Sequence, residues 1–226
     1  MNSIKLAAAG LAAMIGLSGA SIAAPLTLTD AGVVGGTRVF SGDLTSLGLS
    51  TINSISIVDD NDGVGGADGI FSGADIDAVF IDMDGDLNTA GDRVFASAFV
   101  FSAGTTRPTG VASLLPNATH PGPTFGSFDA TTIDLATATL DILDGVSVAD
   151  VDTADGFLTL GDGGVLNALF NPAVAVGGTL FLFVGDVGAN EALGAEILVN
   201  TASEPGVIAL LGLGLVGLGF ASRRRG

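Results

Sequence analysis

Asp82, Asp84 and Asp86 stand at every second position, and Asn88 and Asp92 follow just downstream. Carboxylates spaced this way along a tight loop can converge on one hard cation, and Gly85 permits the turn. Ca²⁺ takes roughly 6–8 oxygen ligands at about 2.3–2.6 Å, which such a loop can supply. A second oxygen-rich stretch, Asp59, Asp60, Asn61 and Asp62 with Asp68 beyond it, can form its own site or complete the first. Asp75 and Asp77 flank the same region and can join either group. Calcium is the expected cofactor.

Asp82 to Asp86 is similar to the opening of an EF-hand or dockerin-type calcium loop. The likeness then stops. The sixth position is Leu87, where that loop has glycine. The twelfth is Arg93, where it has a bidentate acid, and Asp92 comes one residue early.

Enzymatic constellations are poorly represented. His120 is the single histidine and there is no cysteine, which argues against zinc and against a nucleophile–histidine pair. There is no Gly-x-Ser-x-Gly elbow and no phosphate-cradling loop followed by lysine. A carboxylate pair for glycoside hydrolysis has ample aspartate to draw on, but no Trp or Tyr is present to line a sugar cleft. The expectation is a protein without catalytic residues.

The acidic balance narrows the partners. All 24 acidic residues lie between Asp30 and Glu204, opposed there only by Arg38, Arg93 and Arg107, so that segment carries a formal charge of −21. Nucleic acid and anionic lipid surfaces are poor partners for such a segment, and no nucleic-acid partner is expected; divalent cations are natural ones. Aspartate, a turn and cap former, accounts for nearly all of the acid, and 35 glycines accompany it. Both point to strands joined by tight turns.

The elements that carry these loops read as short strands. Thr37 to Phe40 and Ile52 to Val58 are rich in β-branched residues, and 76–82 is a strand emptying into the Asp82 loop. Arg93 to Phe101 is largely apolar on both faces, which predicts one central strand. Thr105 to Phe128, with Pro108, Pro116, Pro121 and Pro123, reads as a long excursion. Thr132 to Leu143 alternates as a strand does; Phe157 to Leu160 is a short strand and Val165 to Phe170 a strand or short helix. Thr179 to Val184 is a strand, and Ala195 to Asn200 is expected beside it after a turn at Asp186 to Glu191. Nine to eleven short strands at this spacing predict a single all-β domain, an antiparallel β-sandwich of jelly-roll type, over residues 25–202.

Both ends read as addresses. Residues 1–24 have the form of a secretory signal peptide: Lys5, an apolar Leu6 to Leu17, and small residues at Ser21 to Ala24 for signal peptidase. Residues 203–226 run Ser203-Glu204-Pro205, an uncharged stretch Val207 to Ser222, then Arg223-Arg224-Arg225. The 16 uncharged residues cover roughly 24 Å as a helix, a thin membrane span, and the arginines set its orientation with the body across the membrane.

This tail resembles the PEP-CTERM sorting signal of Gram-negative bacteria, with Ser203 where that family's box usually has its first proline. The resemblance covers Ser203 to Arg225, about a tenth of the chain. It implies recognition by an exosortase-type membrane protease, transient anchoring in the inner membrane, and then transfer to the cell surface or release. Such systems are associated with exopolysaccharide. The expected function is therefore a non-catalytic cell-surface or extracellular-matrix protein. The alternatives are a secreted carbohydrate-binding or carbohydrate-active protein and, more remotely, an ice-binding one.

Overall fold

The computed structural model describes residues 23–61, 73–105, 126–135, 138–143, 156–187 and 193–201. Eleven strands form among them: β1 (Ala23–Leu26), β2 (Thr29–Val34), β3 (Thr37–Asp43), β4 (Thr51–Asp59), β5 (Asp75–Asp82), β6 (Arg93–Phe95), β7 (Ala98–Ser102), β8 (Leu158–Thr159), β9 (Val165–Ala175), β10 (Phe181–Val187) and β11 (Ala195–Asn200). The helical content among the described residues is one 3₁₀ turn, Leu44–Leu47. The turn is capped by Asp43, whose carboxylate accepts from Thr45 N at 2.8 Å.

The pairings between these strands are all antiparallel, in two sheets ordered β1-β11-β4-β9-β7 and β2-β3-β10-β5-β6, with β8 also on β5. The domain is all-β, consistent with a β-sandwich. The pairs are nested: β1 with β11, β3 with β10, β4 with β9, β5 with β6, alternating between the sheets. One hydrophobic core draws Ile55, Ile57, Leu166 and Val199 from the first sheet and Val79, Ile81, Leu182 and Val184 from the second.

The second sheet also has an apolar outer face. Alternation on β5 and β10 sends Val79, Ile81, Leu182 and Val184 inward, and Ala78, Phe80 and Phe183 outward into a separate cluster with Val39. That cluster is covered by Leu87, Leu143 and Phe181. This explains the unbroken apolar runs of both strands: a strand covered on two faces loses the polar half of its alternation.

Several expectations need correction. Arg93 to Phe101 is two edge strands in different sheets, β6 and β7, because the chain crosses over at Ala96-Ser97, where Ser97 N and Oγ both bond Leu169 O at 2.7 and 3.0 Å. The described part of Thr132 to Leu143 makes only isolated bridges, Ser127 with Ile133, Ala138 with Gly156 and Ala78 with Asp141. β11 lies between β1 and β4 rather than beside β10. Asp186 is a buried strand residue of β10 rather than the first residue of a turn, and 188–191 lie outside the described residues. Val165 to Phe170 is strand, within β9.

β1 begins at Ala23, inside the segment read as signal peptide. Residues 1–22, the tail from residue 202 with Ser203, Glu204, Pro205, Arg223, Arg224 and Arg225, most of the Thr105–Phe128 excursion with His120, and Asp62 and Asp68 lie outside the described residues. Among the described residues no helix is long and apolar enough to cross a membrane.

Candidate metal centre

β5 ends at Asp82, whose side chain is on the outward face, in line with Ala78 and Phe80. The chain turns at once. Asp82 Oδ1 accepts from the backbone N–H groups of Asp84 at 3.1 Å and Gly85 at 2.6 Å, a side-chain cap that starts the loop. Gly85 has φ +79°, and a Cβ there would lie 2.7 Å from Cε2 of Phe181. Only glycine fits both the left-handed backbone and the close ring.

The ten residues between β5 and β6 fold back over the outward aromatic cluster. Leu87 packs on it. Arg93, paired in register with Asp82, lays its guanidinium 4.5 Å above the Phe80 ring and donates from Nη2 to Leu87 O at 2.6 Å. These are the two residues that break the EF-hand pattern, and here they fasten the loop to the sheet. Sequence pattern treats Leu87 as a defect in a calcium motif; only the aromatic face beneath it reveals its use.

Folded this way, the loop brings Asp92 back to its own beginning. One carboxylate oxygen from each of Asp82, Asp84 and Asp92 lies within 4.8 Å of the others. Asp82 is fully buried, Asp92 half-buried and Asp84 exposed, so the group opens to solvent on the Asp84 side. Asp82 Oδ2 and Asp92 Oδ1 are buried with no hydrogen-bond partner. Arg93 is directed at Leu87 and Phe80 rather than at the carboxylates.

Burial pushes the Asp82 carboxyl above its ordinary range, and the Asp92 and Asp84 charges add to this. The bonds from Gly85 and Asp84 pull the other way. Two unit charges about 4 Å apart repel by roughly 4 kcal/mol at a protein-surface dielectric. Three clustered carboxylates, two with idle buried oxygens, are a donor set of hard oxygens that could hold a metal ion.

Asp86 is not among these three carboxylates, and Asn88 is bonded to it. Asp86 Oδ1 accepts from Asn88 N at 2.9 Å and Asn88 Nδ2 at 2.7 Å, which holds its carboxyl below the usual range. Both are exposed and shape the turn that continues to Thr89 N, bonded to Asp86 O at 3.0 Å.

The second expected set has another use. Asp59 ends β4, buried, and its carboxylate is a backbone staple: Oδ1 accepts from Asn61 N at 3.0 Å and Gly163 N at 2.8 Å, and Oδ2 from Ala74 N at 3.1 Å. Asn61 turns the chain with φ +58°. Three distant segments meet on this one side chain. Asp59→Ala would strand buried donors at about 1–3 kcal/mol each in the worst case. The expected result is a large fall in melting temperature with Ca²⁺ affinity at the Asp82 group unchanged, measured by calcium titration of the variant while folded.

Asp75 and Asp77 belong to the far end of β5. Asp77 accepts from Thr37 Oγ1, and Asp75 N donates to Asp186 Oδ1 at 2.9 Å. Two open clefts are also present, one of about 250 Å³ lined by Phe95, Phe99, Leu135 and Leu140 among others, one of about 400 Å³ beside Leu26, Gly42 and Phe181. Neither is lined by Asp82, Asp84 or Asp92. No family model, curated protein or solved structure matches the chain.

Proposed function

We propose that the chain is an exported, non-catalytic cell-surface or extracellular-matrix protein whose β domain is stabilised by one Ca²⁺ at Asp82, Asp84 and Asp92. The observation that carries the cation reading is Asp82 Oδ2, buried and without a partner beside two more carboxylates. Calcium suits the site better than magnesium, because Ca²⁺ accepts irregular oxygen sets whereas Mg²⁺ demands near-octahedral geometry and keeps its waters. A domain without cysteine has no disulfide to close its loops, and a cation at the two ends of the β5–β6 loop supplies such a closure.

The nested strand pairing supports reading the sandwich as a jelly roll. The address rests on the two ends of the sequence: residues 1–24 for export, then Ser203-Glu204-Pro205, the Val207–Ser222 span and Arg223 to Arg225 for an exosortase-type protease. Exopolysaccharide is the partner this address favours.

Thermal unfolding in EDTA, Mg²⁺ and Ca²⁺ at matched ionic strength tests the cation reading. At a free Ca²⁺ tenfold above Kd, linkage adds about 1.4 kcal/mol, a rise of about 3–6 °C for a domain this size. An equal rise with Mg²⁺, or none with either, would count against calcium stabilisation.

A further inference from the structure

The Asp82 group joins the two ends of a segment that also covers something. Leu87 seals the outward cluster of Phe80 and Phe183, which are 0% and 2% exposed. The rings stack at 5.6 Å between centroids, Phe95 meets Phe80 at 6.0 Å, and Phe181 meets Phe183 at 6.4 Å. The backbone at Gly85 lies against the Phe181 ring, and Arg93 sits on Phe80. β6, which continues the segment, is an edge strand of three residues held by β5 alone.

From this we infer that the cation is the clasp of a cover: binding at Asp82, Asp84 and Asp92 holds residues 83–95 down on the Phe80–Phe183 face, and its removal lets that segment lift and uncover the aromatic patch. The inference rests on the proposed calcium site and names what that site regulates.

Asp82 is fixed in β5, while Asp84 and Asp92 ride on the segment itself. Lifting the segment separates the ligands, so the lifted form binds the ion poorly, and ligand shifts the equilibrium by the difference in affinity between the two forms. Without the ion, mutual repulsion of three carboxylates pushes the segment off, opposed by Leu87 and the Arg93–Phe80 contact. A short edge strand with few partners is the low-stability end of a sheet. The lifted form leaves Phe80 and the outer edge of β5 open to water, a hazard for edge-to-edge association.

Amide hydrogen exchange on the full chain, in EDTA and in Ca²⁺ at ten times its Kd, tests this, with binding followed separately by calcium titration. The expected result in EDTA is exchange at 83–95 far faster than in β4, slowed about tenfold by Ca²⁺. Asp92→Asn removes the slowing, and Leu87→Ser speeds exchange in both conditions while leaving a calcium-dependent slowing. If the titration shows binding but 83–95 exchanges no faster than β4 in EDTA, or is unchanged by Ca²⁺, the clasp is overturned and the site stands. If the titration shows no binding, the site reading fails and the clasp with it.

Discussion

Asp82→Asn should make the metal-free protein more stable and the calcium-loaded protein less responsive. The amide keeps an oxygen to accept from the Asp84 and Gly85 N–H groups, and it offers an NH₂ to the Asp84 and Asp92 carboxylates where a buried charge stood before. Relieving one such like-charge contact is worth about 1 kcal/mol where bulk water screens it, as on the open Asp84 side, and more toward the buried side; about 1 kcal/mol alone is about 2–4 °C in Tm. Losing a carboxylate ligand should lower Ca²⁺ affinity at least tenfold, as even residues that only orient ligands cost about 10–100-fold. Few substitutions at a buried aspartate raise stability, so the crossing of the two effects is diagnostic.

The pH dependence fixes the sign independently. The Asp82 carboxyl is raised in the folded protein, so in EDTA the fold binds more protons than the unfolded chain between the ordinary value of 3.8 and the raised one. Its ionisation therefore costs stability at neutral pH, and that cost disappears as pH falls through the raised value. The wild-type and Asp82→Asn melting temperatures should converge on acidification through that window. Asp30, Asp43, Asp86 and Asp129 are shifted downward by their hydrogen bonds, and they act oppositely: their contribution is lost below 3.8, as pH falls through each folded value. They are common to both proteins, so the difference between the two melting curves isolates Asp82.

Phe80→Ala should cost much of the domain's stability and should also weaken calcium binding without touching a ligand. Phe80 is fully buried beneath the loop, and truncating such a ring costs about 3–5 kcal/mol, or roughly 10 °C in Tm. It also removes the seat of Arg93 and the ring against Phe95 and Phe183, so the loop that carries Asp84 and Asp92 loses its anchor. Ile57→Ala, on β4 in the other sheet's core face, is the control. Its expected cost is about 2–5 kcal/mol, with calcium affinity of the folded protein unchanged. Equal affinities for the two variants would mean that the aromatic face does not position the site.

The members of the carboxylate cluster are legible in part, because Asp82, Asp84 and Asp92 are close in sequence. The choice among the five candidates is not. Asp86 has the ligand chemistry of Asp84, and each accepts from the N–H two residues on; only the course of the loop, invisible in the spacing, leaves Asp86 out of the group. Asp59 illustrates the limit more sharply. Its composition matches a metal loop, but its acceptors serve N–H groups of Gly163 and Ala74, far away in sequence, which no local pattern can reveal.

Strand existence followed from β-branched alternation at Thr37–Phe40, Ile52–Val58 and 76–82, where one or both faces are buried along the whole run. Partnership did not follow. Arg93 to Phe101 is largely apolar, with Val94 packed on the core as part of one sheet and Phe99 and Phe101 as parts of the other. Periodicity records burial, not the strand on either side. The same holds for 132–143, where Ala138 and Leu140 reach the core although the described backbone makes only single bridges. β11 follows β10 in sequence yet crosses to the other sheet, as nested pairing requires.

The most direct test of the calcium site is a Ca²⁺ titration of the ¹⁵N-labelled chain followed by amide NMR shifts. The expected result is one saturable set of shifts confined to Asp82–Arg93 and its neighbours on β5 and β6, with Kd of about 10⁻⁴–10⁻³ M, the range of extracellular calcium modules, and its loss in Asp82→Asn. Non-saturating shifts spread over exposed acids such as Asp30, Asp43 and Asp129, unchanged by Asp82→Asn, would contradict it and leave the three carboxylates as surface charge.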